Sequence, residues 1–110
     1  MRNGRFSDYT VGSGNIFKDL ELPDAEELDT KANLAIQIAL ILKSRGLTQS
    51  EAARVLGVDQ PKVSAIVRGR LEKFSVERLC RLLTGLGCDV DIRVRRRTRR
   101  ARGKLTVSVA

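Results

Sequence analysis

In 110 residues there is room for one compact domain with short extensions, since a single core takes on the order of 100 residues. Lys and Arg number 21 against 13 Asp and Glu, a formal charge of +8, and the chain has two cysteines and no histidine. A four-ligand zinc site is therefore excluded, no cofactor is expected, and Cys80 and Cys88 read as small core residues, with a disulfide as the alternative.

The charge is unevenly placed. Met1 to Ile92 holds 13 basic and 13 acidic residues, whereas Arg93 to Lys104 holds 8 basic residues and no acid. Within the neutral part, Asp19 to Asp29 carries 6 acids and no base, and Lys43 to Arg81 carries 9 bases against 4 acids. A basic body with a basic end suits a polyanion, or else serves only to keep the chain dissolved. There is no apolar run that would make a signal peptide or a membrane span, so a cytoplasmic protein without membrane association is expected.

Residues 1–15 are rich in Gly, Ser, Asn and Arg, a composition that buries too little to offset ordering, and read as a flexible arm. The domain is expected over 16–95. Ile16, Phe17, Leu20 and Leu22 offer a clip against it, and Pro23-Asp24 marks a turn or helix entry. From Ala25 to Arg45, Leu28, Ala32, Ala35, Ile36, Ala39 and Leu42 recur every three or four residues and predict a first helix with that face inward. Ile38, Leu40 and Ile41 widen the stripe. Gly46 stops the helix.

Thr48 followed three residues later by Glu51 forms a capping box, which predicts a second helix over Gln49 to Leu56. Gly57 makes the turn, Asp59 caps a third helix over Gln60 to Val67, and Pro61 is tolerated in its first turn. Ser75 caps a fourth helix whose inward face is Val76, Leu79, Leu82, Leu83 and Leu86, closed by Gly85 and Gly87. Beyond Cys88, Val90, Ile92 and Val94 alternate with charged residues and predict a strand over 89–95. Its edges need a partner, either the same strand of a second copy, which is favoured, or Leu105 to Val109 folding back as a hairpin. Residues 96–110 read as a basic, disordered tail.

Thr48 to Ile66 meets the steric needs of a helix-turn-helix. Ala53 is small where the helices cross, Gly57 turns, and Ala52, Leu56, Val58, Val63 and Ile66 lock both helices into one core. Gln60, Lys62, Ser64 and Ala65 are then left on the free face of the third helix, where base edges would lie. A helical bundle with short loops and no DNA partner is the plainer alternative. An enzyme is not expected, because His, convincing paired carboxylates and a Gly-rich phosphate loop are all lacking.

Leu47-Thr48-Gln49-Ser50-Glu51-Ala52-Ala53, Gly57 to Ser64 and Phe74 to Leu79 resemble the Cro/repressor-type helix-turn-helix family often called XRE, and within it the short HigA-like antitoxin regulators. The resemblance covers about Ser13 to Val94. It implies an all-α, lambda-repressor-like bundle of four or five helices, a homodimer on a palindromic DNA operator, and repression of the protein's own operon beside a RelE/HigB-like toxin gene. By position, Gln60, Lys62 and Ser64 would reach bases, with Pro61 contributing an apolar contact where many relatives are polar. Thr48, Gln49, Arg68, Arg70 and Lys73 would meet phosphates. Val90, Ile92 and Val94 would sit in the dimer strand. The Arg-rich end exceeds the family pattern and reads as extra phosphate affinity, as an arm for a minor groove, or as a solvated end. A stand-alone regulator without a toxin, a protein-interaction module, and a nonspecific nucleic-acid binder remain alternatives.

Overall fold

Each short helix in the middle of the chain is closed by its own neighbours. In the computed structural model, which describes residues 24–97 and 102–110, four helices follow one another: α1 Asp24–Ser44, α2 Gln49–Leu56, α3 Gln60–Arg68 and α4 Val76–Gly85. Thr48, Asp59 and Ser75 stand at the N-caps of α2, α3 and α4 in extended conformation, each side chain accepting a backbone N–H three residues on. Left-handed glycines end α2 and α3: Gly57 has φ +71° and Gly69 φ +78°. That geometry lets Val58 N–H reach the Ala53 carbonyl at 3.1 Å and Arg70 N–H the Ala65 carbonyl at 2.8 Å, so orphan carbonyls are satisfied as the chain turns.

The core is one cluster shared by all four helices. Ile38 and Leu79 are fully buried, Val63 is 1 % exposed, and Leu34, Leu42, Ala52, Ile66, Leu71, Phe74 and Leu83 surround them. α1 lies against α4 and α3, and α2 pairs with α3. The Arg45 guanidinium donates to the Leu86 carbonyl and ties the end of α1 to the end of α4. The inward face expected for α4 is buried throughout: Val76, Leu79, Leu82, Leu83 and Leu86.

The face expected for α1 packs only in part, through Ala35 and Leu42. Leu34, Ala35, Ile38 and Leu42 point inward, while Leu28 and Ile36 are 54 % and 52 % exposed and Ala32 and Ala39 are only partly covered. α1 is apolar on two sides, so spacing of three and four fits two stripes equally well. Contact with α3 and α4 selects between them. Leu40, at 54 % exposure, shares the outer stripe with Leu28 and Ile36.

Beyond Cys88 the expected strand is absent among the described residues. Residues 88–97 carry no regular structure, with Cys88 and Val90 partly buried against the core and Ile92 and Val94 exposed at 54 % and 90 %. Alternation alone does not make a strand, because its N–H and C=O groups need a second ladder. The terminal residues, expected to be disordered, instead return to the start of α1: Leu105 N–H donates to Glu26 Oε2 at 2.7 Å, and Arg102 Nη1 lies 3.3 Å from Glu26 Oε1. Those two donors, Leu105 N–H first, hold the Glu26 carboxyl below its ordinary value. Val107 packs on the core nearby. The expected arm, residues 1–15, and the clip from Ile16 to Leu22 lie outside the described residues. Cys80 and Cys88 are both half-buried free thiols, and burial, aided by Glu77, raises the Cys80 pKa. No helix of the described residues is long and apolar enough to cross a membrane.

Candidate nucleic-acid interface

α3 is fastened by one edge. Val63 and Ile66, three residues apart, are buried to 1 % and 2 % exposure, and they lie on one side of a helix that advances about 100° per residue. The remaining arc faces outward: Gln60, Pro61, Lys62 and Arg68 are exposed, and Ser64 and Ala65 are half-buried. On that arc Pro61 and Arg68 point most directly away from the buried edge, Ser64 and Ala65 stand to either side of them, and Gln60 and Lys62 lie at the two margins. A surface of this breadth can lie along a groove with donors on both margins and a smaller, partly apolar crest between them.

Lys62 is held in place. Asp59 accepts the Lys62 backbone N–H through Oδ1 at 3.3 Å, and its other oxygen lies 3.4 Å from the Lys62 ammonium. The cap that starts α3 therefore also restrains one of the expected base-reading side chains.

Five of the expected contact residues gather around an open cleft of about 460 Å³ beside α3. Pro61, Lys62 and Ala65 form its helix wall, and Arg70 and Lys73 line it from the loop that follows. Phe74 and Arg78 complete it, with Asp59 and Glu72 at its margin. Ala65 thus faces this cleft rather than the crest of α3. Arg78 was not anticipated. It is the third residue of α4, its backbone N–H donating to the Ser75 hydroxyl at 3.0 Å. Its only sign in the chain was one more base after Arg70 and Lys73, with nothing local to tie it to α3. With four cations over an apolar floor, the cleft suits a sugar-phosphate strand better than a compact anion.

Gln60, Ser64 and Arg68 stand outside that cleft, on α3 itself, and Thr48 and Gln49 are exposed at the start of α2. The start of α2 is less open to phosphate than expected. Thr48 N–H donates to Glu51 Oε1 at 2.9 Å and Glu51 N–H to Thr48 Oγ1 at 3.1 Å. The Thr48 N–H contact holds the Glu51 carboxyl below its ordinary value, and the carboxylate occupies the Thr48 donor that a phosphate would otherwise take. The exposed Gln49 and Ser50 side chains and the other first-turn N–H groups remain able to donate outward.

The structural-motif residues are where the helix-turn-helix requires them. Ala53, Leu56 and Val58 are half-buried and pack on the core, Ala52, Val63 and Ile66 are buried in it, and Gly57 takes the left-handed turn. Of the expected dimer residues, Val90 touches the core, and Ile92 and Val94 are turned to solvent.

A family profile described as a helix-turn-helix domain matches residues 16–95. A solved structure described as an XRE family transcriptional regulator is 46 % identical to this chain, covering 80 % of it and 100 % of its own length, with a TM-score of 0.75. No curated protein matches the chain.

Proposed function

The chain belongs to the XRE-type helix-turn-helix family, and we propose that it is a sequence-specific DNA-binding transcriptional repressor, a binding protein and not an enzyme. In this reading it acts in the cytoplasm as a homodimer on a palindromic operator, with α3 in the major groove. Gln60 and Lys62 read adenine and guanine edges from the two margins of α3, Ser64 and Pro61 add contacts between them, and Arg68, Arg70, Lys73 and Arg78 take the backbone. The observation that carries the reading is the one-sided burial of α3: Val63 and Ile66 fix its back while Gln60 and Lys62 stay exposed.

Pairing of residues 89–95 between two copies is the proposed means of dimerisation, supported by the exposed alternation of Ile92 and Val94. The likeness to HigA-like antitoxins extends the proposal to autoregulation beside a RelE/HigB-like toxin gene, for which a neighbouring gene of that kind is the check.

Selection of bound duplexes from a random pool tests the central claim and reports the half-site spacing. Gln60→Ala is expected to lower discrimination between the selected operator and random DNA by a factor of roughly 10 to 100, in line with about 1–3 kcal/mol per bidentate base contact. Removal of the residues after Val94 should weaken both bindings alike and flatten their salt dependence. Operator preference that survives Gln60→Ala would remove α3 as the reader.

A further inference from the structure

The outer side of α1 is apolar and faces no other helix among the described residues. Leu28, Ile36 and Leu40 are each about half exposed, and Ala32 follows the same line. Residues four apart on a helix are neighbours, so Leu28, Ala32, Ile36 and Leu40 form one continuous stripe. A run of this kind on a small domain marks an interaction surface.

Two charges bracket the stripe. Asp29 and Lys43 are fourteen residues apart, close to four whole turns of about 14.4 residues, so both stand on the same side of α1 as Ile36. Both are exposed, and neither takes part in the ion pairs formed among the described residues, which join Lys31 to Glu27, Lys62 to Asp59, Arg81 to Glu77 and Arg102 to Glu26. Ile36 lies midway between them.

We propose that this face of α1 docks on the same face of a second copy, antiparallel, across a two-fold axis that passes beside Ile36. In that register Asp29 meets the partner's Lys43 at one end and Lys43 meets the partner's Asp29 at the other. Each Leu40 lies over the partner's Ala32, a large residue opposite a small one, which lets two helices approach to about 8–10 Å. A parallel arrangement would oppose like charges at both ends. The patch is thus complementary to itself, as a closed two-fold contact requires. Exposed ion pairs add little affinity, so the apolar stripe supplies the attraction and the charges set direction and register.

The contact is separate from pairing of residues 89–95 and does not depend on DNA reading. Its failure leaves operator preference untouched, and loss of operator preference leaves it standing. The test uses the full chain with Ile36→Cys under mild oxidation, the wild type with its own Cys80 and Cys88 serving as control. Two cysteines at position 36 meet at the axis and should link most of the protein into covalent dimers. Leu40→Cys should link little above the control, because four residues off the axis places its mate about 12 Å away along the helix, beyond the roughly 7 Å between Cα atoms that a disulfide spans. In sedimentation, Asp29→Lys should weaken self-association about tenfold, and Asp29→Lys combined with Lys43→Asp should return it to within about twofold of the wild type. Linking at position 36 no greater than in the control, equal linking at position 40, or a double exchange that fails to restore association each overturns the proposal. If residues 16–22 of the same chain, or a different protein, cover the stripe, linking at position 36 stays at the control level, and that too overturns it.

Discussion

The unit from Thr48 to Gly69 and the 21-residue α1 join the same core by opposite means. α2 and α3 are 8 and 9 residues long, too short to persist alone in water, and each is defined at both ends by chemistry within a few residues. Capping side chains start them, left-handed glycines stop them, and α3 has a single buried edge. α1 is long enough to need less help at its ends, and it is apolar on two sides, so its rotation is decided only when α3 and α4 pack against it. The difference teaches that a short helix with strong caps presents one face by construction. A long apolar helix has a second face left over, which the other described helices do not cover.

The largest expected effect tests which side of α1 is structural. Ile38→Ala should cost about 2–5 kcal/mol in urea unfolding, as truncation of a fully buried residue does, whereas Ile36→Ala, measured on dilute single chains, should stay within about 0.5 kcal/mol. Equal losses would mean that the two faces are not distinct. Next, Gly57→Val places a branched side chain at φ +71°, and a non-glycine residue in the left-handed region should cost about 1–2 kcal/mol in the same assay. Thr48→Ala removes the cap of α2 and should cost about 1 kcal/mol.

The smallest effect is one of acidity. Because the Thr48 N–H holds the Glu51 carboxyl below its ordinary 4.5, the ionised form favours the folded chain. Its contribution is complete above about pH 4.5 and is lost as pH falls through the lowered pKa. Urea midpoints of wild type and Glu51→Gln should therefore differ most near neutrality and converge as pH falls below about 4.5 through the lowered pKa. A constant gap across that range would separate the cap from the charge.

What could be read directly from the residues follows the same division. Thr48 with Glu51, Asp59 with Pro61, and Gly57 act over a few positions, so the bounds of α2, the start of α3 and the free side of α3 were visible in the chain. Leu28 and Ile36 were read as inward because their spacing is as regular as that of Leu34, Ile38 and Leu42. Only the positions of other helices distinguish the two sets. Arg78 was passed over because its cleft is built from three elements, and no local pattern links α4 to Pro61. The return of Leu105 to Glu26 joins residues far apart in sequence and has no local sign at all. Residues 89–95 alternate as a strand should, yet they carry no regular structure, because alternation by itself supplies no second ladder.

Under the proposed reading of α3, Asp59 gives the DNA-facing surface a built-in competitor. Its carboxylate caps α3 and also lies against the Lys62 ammonium, so in that reading Lys62 would reach a guanine only by leaving an acceptor already present. Binding at that position is an exchange of partners rather than a simple gain, and a wrong base leaves the lysine where it was. An acidic cap placed beside a basic reader therefore tempers attachment to arbitrary duplex, and Asp59→Asn would make the surface more adhesive and less selective.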